Sequence, residues 1–265
     1  MDRLLLIAST FCFLFGFAFT MHALGARVYR RSWLNFFAIL SGFVGQTAFL
    51  YVRGGQLGRC PLTNLFEVLI FLGWSMVLFY LLIGPAYRLS LLGVFTSPLV
   101  FFIQLIALLA PGLDPHGVVK VTPNPFMELH AAVSIVAYGA FALAGVAGVM
   151  YLVQERQLKT HHLSSIFHAL PPIRDLAVAN RRLIVTGFVL LTVGIAAGFG
   201  IGGLPAHLVK IAWSVGVWLI YGIILTAEWR HRISARRGAW LSVGAFGIVL
   251  CTLWGINFLT ETAAL

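Results

Sequence analysis

The sequence is short of charge. Of its 265 residues only 10% are Asp, Glu, Lys or Arg, while 60% are hydrophobic. A water-soluble domain of this size cannot cover its surface with so few charges, so the composition excludes one. Cysteine is scarce as well, and Cys12, Cys60 and Cys251 stand far apart. That spacing excludes a disulfide framework, a thiol-redox pair and a cysteine zinc site. There is no C-x-x-C-H, so the chain is not itself a c-type cytochrome. Long polar stretches are missing too, which leaves no room for a soluble domain.

What the sequence has instead is apolar segments of about 20 residues, the length that crosses a bilayer as a helix. About eight succeed one another, at roughly 3–24, 34–52, 64–83, 88–110, 130–153, 182–203, 206–227 and 237–259. The fold class expected is an all-α integral membrane protein, a single transmembrane domain over residues 1–265. The first segment carries His22 and is followed by Arg27, Arg30 and Arg31, with no A-x-A-like site. It therefore reads as a retained helix rather than a signal peptide.

A net charge of +10 invites a nucleic-acid reading, but the positions of the basic residues contradict it. Three arginines follow helix 1, one follows helix 3, five basic residues follow helix 5 and four follow helix 7. The connections after helices 2, 4 and 6 hold only Arg53, Arg59 and Lys120. Basic residues stay on the cytoplasmic side, so both termini are expected outside. The partner implied by the charge is the lipid bilayer, and no nucleic acid is expected.

Two connections stand out. The external one, "PGLDPHGVVKVTPNPFMEL" (111–129), reads as too rich in proline to be helical. The cytoplasmic one, Gln154 to Arg181, mixes charges with Leu, Ile and Phe and reads as a short interfacial helix, or two broken at Pro171-Pro172. Helix 6 carries Gly194, Gly198 and Gly202, and helix 5 carries Ala140, Ala144 and Gly148. Both are small-residue stripes whose ordinary use is close helix packing. The two halves show no convincing repeat.

Ionisable groups near a bilayer are costly and therefore informative. Asn64 and Glu67 have the spacing of a capping box at the outer end of helix 3. A proton relay through Glu67 would need further carboxylates at depth, and the spans offer none. Among the histidines, His161, His162, His168 and His231 read as solvated cytoplasmic surface, and His22 as a polar contact between helices. His116 lies in the external loop. His130 and His207 sit at the outer ends of helices 5 and 7, where neutral imidazoles facing one external cleft can serve as axial ligands to haem iron.

Several segments together resemble the cytochrome c assembly family, the CcsA/CcmC/HemX group of haem-handling membrane proteins. "GRCPLTNLFEVLIFLGW" (58–74) is similar to the family segment G-H-x-P-x-S-N-L-Y-E-S-L-x-F-L-x-W. "ELHAAVSIVAYGAFALAGVAGVMYLVQERQLK" (128–159) resembles its His-led helix ending in Y-L-x-Q-E-R. Residues 170–198 and 236–259 are also similar, in the family's order. The resemblance implies a cytochrome c biogenesis role in a bacterial cytoplasmic (inner) membrane. Haem would be presented at the external face to a second assembly subunit and an apocytochrome c. Ligation, not a catalytic site, would be the chain's own chemistry.

The departures are as informative. Haem-delivering members carry W-G-x-x-W-x-W-D-P-K-E before the seventh helix; here "GFGIGGLPAHL" stands in its place. Lys210, Trp213 and Trp218 keep the spacing of the family's Lys and two Trp just downstream of that motif. A family histidine in helix 2 corresponds to Gln46, and one before the C-P segment to Arg59; a late external histidine is missing. Of the family's usual haem ligands only His130 matches position for position, and Trp213 and Trp218 match its tryptophans. With His207, placed at the outer end of helix 7, as second iron ligand and Tyr138, two turns on from His130 on the same face, these are the residues expected to hold haem. His207 is either a replacement ligand or a polar helix start, and Met127 is an alternative sixth ligand. A regulatory or scaffold protein of the HemX or YpjD kind, which no longer transfers haem, is the second reading. A transporter, which would need paired charges within the membrane, is the third.

Overall fold

The computed structural model describes residues 2–25, 33–83, 92–114, 124–160, 172–201 and 204–262, with only the backbone of 23–25, 111, 204–211 and 251–262. These residues form eight helices: α1 (Asp2–Gly25), α2 (Trp33–Leu57), α3 (Leu65–Ile83), α4 (Leu92–Leu109), α5 (Pro125–Thr160), α6 (Ile173–Phe199), α7 (Leu204–Trp229) and α8 (Ala235–Thr262). One 3-10 turn, Pro111–Leu113, follows α4, and no strand is present among the described residues. Segments of α1 to α7 are long and apolar enough to cross a membrane. The outward surface agrees. Leu4, Phe11, Trp33, Tyr51 and Ile223 are each more than 60% exposed, which suits hydrocarbon and not water. The chain is a multi-pass membrane protein.

In lipid, burial of apolar surface does not drive helices together, so close contact between small residues must do so. α5 is the central helix and packs on α3, α6 and α8. At the α3 junction, a Cβ on Gly139 would collide with Ser75 Oγ. Toward α8, a Cβ on Gly148 would lie 2.9 Å from Ser242 Oγ. Asn180 of α6 closes a three-helix joint by donating to Ala144 O of α5 (2.6 Å) and Ser242 Oγ of α8 (2.9 Å). Both stripes named from sequence thus pack helices, as expected; Gly202 lies outside the described residues.

Two connections are shorter than expected. Asn124 caps α5 by accepting from the amides of Phe126 (3.1 Å) and Met127 (3.4 Å), and Pro125 takes the first helical position, where its missing N–H costs nothing. Residues 125–129 are therefore helical, and His130 sits more than one turn inside α5. At the other end α5 continues to Thr160 and α6 begins at Ile173. Pro172 is the N-cap of α6, while 161–171, with His161, His162, His168 and Pro171, where the interfacial helix is expected, lie outside the described residues. At 36 residues, α5 is about 54 Å long, well beyond the ~30 Å hydrocarbon thickness. His22 also departs from expectation: it is exposed at the end of α1 and makes no side-chain hydrogen bond among the described residues.

Ion pairs identify the two ends of the bundle. At one, Arg53 at the end of α2 meets Glu67 at the start of α3 (3.0 Å), Asp2 of α1 (3.2 Å) and Asp114 after α4 (2.7 Å). At the other, Glu155 of α5 meets Arg236 of α8 (3.2 Å) and Lys159 (2.8 Å). The start of α1 and the far end of α8 consequently share the Arg53 end. From the bias of basic residues that end is expected to be external. Reporter fusions after Arg156 and Arg232 should read cytoplasmic, and fusions after Lys120 external; the inverse pattern would turn the whole site inward.

Candidate functional site

The outer end of α5 presents one face to α6. His130 leads it, half-buried, with its ring laid over Gly198: a Cβ there would lie 3.0 Å from Nδ1. Nδ1 is 2.7 Å from Gly194 O. A carbonyl can only accept, so Nδ1 carries a proton, and in the neutral form of the ring the lone pair is on Nε2. Nε2 has no partner among the described residues, so one ring nitrogen is anchored and the other is available. A metal-ligating histidine is commonly oriented in this way.

One turn deeper, Ser134 occupies the space above Gly194, where a Cβ would come within 2.6 Å of Oγ. The Ser134 hydroxyl is buried and has no hydrogen-bond partner among the described residues. Next on this face, Tyr138 is 4% exposed and hydrogen-bonds Ser214 of α7. Below it Phe141 stacks flat on Tyr221 of α7, with ring centroids 3.6 Å apart. The face His130–Ser134–Tyr138–Phe141 therefore descends from the surface into the core, first against α6 and then against α7. Trp213, beside Ser214, buries an indole N–H that has no partner among the described residues. The structure thus joins His130, Tyr138 and the Trp213 segment along one seam.

Trp218 has a different setting. It stacks on Phe188 (5.1 Å, 23°) and donates its indole N–H to Thr192 (2.8 Å), both on α6. Trp74 does the same with Phe43 (5.5 Å, 17°) and Thr47 (2.9 Å) on α2. In each pair a Phe and a Thr one turn apart hold the tryptophan of the following helix, so the polar edge of Trp218 is committed to the α6–α7 contact. His207 lies in the first turn of α7, its side chain outside the described residues, as is that of Lys210; His116 lies outside them altogether. Met127 is 39% exposed on α5. Gln46 is fully buried with both amide atoms unpartnered, and faces Gly73 of α3.

Sequence reasoning missed the network beside this seam. Asn64 does cap α3, accepting from the Glu67 amide at 2.9 Å. Glu67, however, reaches the Thr63 amide and hydroxyl (2.8 Å each) and also pairs with Arg53. It is fully buried. Asp114 accepts from Arg53, from Arg3 (2.7 Å) and from Asn64 (3.2 Å). The available signal was arithmetic: with eight acids in the chain, three fall at outer helix ends near Arg53. Next to the network, the Cys60 amide lies 3.4 Å from Glu128 Oε2. Burial pushes the Cys60 thiol above its usual range, and the Glu128 and Glu67 carboxylates push it further. Only the thiolate alkylates, so its rate should still climb above about pH 8.5, where an ordinary thiol is half titrated. A plateau at that pH would contradict the burial.

Comparison with known proteins then decides the family. The model of the cytochrome c assembly protein family matches residues 62–264. The chain belongs to that family. It is similar to Protein HemX of Brevibacillus brevis, 27% identical over 224 residues, covering 83% of this chain and 80% of the relative. It is equally similar to the cytochrome c biogenesis protein CcsA of Guillardia theta, 27% identical over 239 residues and covering 80% and 78%. A third relative, CcsA of Synechococcus sp. strain JA-3-3Ab, is 27% identical over 283 residues and covers 83% and 82%. The region matched to the cytochrome c assembly family takes in the whole His130 seam and Glu67, while α1, α2 and Arg53 precede it.

Proposed function

We propose that this chain handles haem in cytochrome c biogenesis, ligating it through His130 at the external face and presenting it to a partner that holds the apocytochrome. The membrane would be the bacterial cytoplasmic one, and the partner a second assembly subunit. One observation carries the reading: Nδ1 of His130 is fixed on Gly194 O at 2.7 Å, which leaves Nε2 as the ring nitrogen open to a ligand. An imidazole in that tautomer is an axial ligand for haem iron. Ser134 Oγ and Trp213 Nε1 on this seam are buried and without a partner among the described residues, which would give the polar edges of a flat apolar cargo two hydrogen-bond donors. Tyr138 and Trp213 line it, Trp218 holds α7 against α6, and His207 is the candidate second ligand from α7.

Haem here is cargo. The chain's contribution is binding, orientation and the exclusion of water. The test is an absorption spectrum of the purified protein titrated with haem, where a Soret band at one haem per chain is expected. A second reading has its own support. The tryptophan-rich segment is absent, and HemX is as similar to this chain as CcsA is. A chain that purifies and titrates without any Soret band would be the HemX-like regulator or scaffold.

A further inference from the structure

The opposite end of the bundle holds a cavity of about 280 Å³ between α5, α6, α7 and the start of α8. Arg174 and Arg181 stand on its α6 wall, two helical turns apart and so on one face. Neither guanidinium makes a close ion pair or a side-chain hydrogen bond among the described residues, although Arg181 is near enough to attract the Glu228 carboxylate. Opposite them is Glu228 of α7, whose Oε2 is buried and unpartnered. Its Oε1 occupies the space left by the missing side chain of Gly238, where a Cβ would collide with it. The hydroxyl-bearing ring of Tyr151, the imidazole of His231 and the amide side chain of Asn180 complete the polar lining, the Asn180 N–H groups being given to Ala144 O and Ser242 Oγ.

This is a site with both signs. A simple anion would satisfy the arginines and be repelled by Glu228, and a simple cation would do the reverse. A ligand that carries a phosphate and, a short distance away, an ammonium with N–H donors satisfies all three. Arginine forks match phosphate oxygens, and a carboxylate oxygen accepts strongly from an ammonium. Volume limits the rest of the ligand. The cavity falls just below the roughly 300–1,000 Å³ that enclose drug-sized molecules, so it takes a headgroup and not a porphyrin. Its surroundings favour a membrane source: Val178 on the rim is 36% exposed, and Trp229, next to Glu228, is 72% exposed, at the level where aromatic residues meet the interface. Basic pockets between helices on the cytoplasmic side are a known setting for lipid headgroups. We infer that this pocket binds the phosphoethanolamine headgroup of a membrane lipid, with phosphate on Arg174 and Arg181, ammonium on Glu228, and acyl chains leaving over Val178.

The test is retention of lipid by the full chain in mild detergent, read by native mass spectrometry. Phosphatidylethanolamine, phosphatidylcholine and phosphatidylglycerol are supplied with identical acyl chains. Phosphatidylethanolamine should be retained about tenfold over phosphatidylcholine, whose trimethylated ammonium has no N–H to give Glu228. Glu228→Gln should erase that preference while phosphatidylglycerol still binds, and Arg174→Gln with Arg181→Gln should weaken both lipids. Ala235→Phe, which fills the pocket without removing a charge, should lower retention even where a charge variant fails to fold. Equal retention of the ethanolamine and choline lipids by the wild type would overturn the proposal, as would an intact preference in folded Glu228→Gln. Free O-phosphoethanolamine that binds as well as the lipid would assign the pocket to a soluble ligand and overturn the membrane source.

Discussion

His130→Ala is expected to strip the purified protein of haem, with affinity falling by well over tenfold, one decade for each ~1.4 kcal/mol of ligation lost. The expectation rests on the anchoring of the ring. Gly194 O holds Nδ1 at 2.7 Å and Gly198 leaves room for the ring face, so Nε2 would bind iron without the cost of ordering a mobile side chain. Disturbing the anchor should also be costly. Gly198→Leu would push the ring off α6, and loss of an orienting partner typically costs about 10–100-fold in affinity. His130→Gly opens a space that free imidazole can enter, so added imidazole should restore the Soret band. His207→Ala separates the one-ligand site from the pair: haem lost with His130→Ala alone marks a single ligand, and haem lost with either marks both. Unchanged haem content in His130→Ala would remove His130 from the site.

Arg53→Met should be the most damaging substitution for folding. It leaves the fully buried Glu67 carboxylate with only Thr63 as partner, and Asp2 and Asp114 lose their shared cation. Removing one partner of a buried pair costs about 3–5 kcal/mol, because the surviving charge is left uncompensated. Glu67→Gln should cost less, about 1.5–3 kcal/mol for a hydrogen bond to a charged group, since the amide oxygen can still accept from Thr63. As a helix cap alone, Glu67 would have been worth only about 1 kcal/mol; its pairing with Arg53 raises the figure. Pairing Arg53→Met with Glu67→Gln should recover part of the loss, which distinguishes a stranded charge from lost packing. Thermal unfolding in detergent measures all three. An Arg53→Met protein as stable as wild type would show that the network carries no energy.

Much of this protein was legible in its sequence because a bilayer leaves the chain few choices. Backbone polar groups in hydrocarbon must be satisfied within their own segment, so the eight apolar segments had to be helices. The distribution of the arginines ordered their ends, and the family motifs singled out His130. Where helices extend into water the constraint lapses, and there the reading failed: Asn124 and Pro125 start α5 within a stretch read as a loop, and α5 runs on to Thr160. The rest depended on which helices meet. Gly194 and Gly198 read as a packing stripe, which they are, yet only the pairing of α5 with α6 made a Gly194 carbonyl the partner that sets the tautomer of His130. Arg53, Glu67, Asp2 and Asp114 come from four separated segments, and Arg174, Arg181 and Glu228 from two helices. Spacing along the chain relates residues within one helix, whereas the charge balance of a buried cluster is settled by the helix ends that fold together around it.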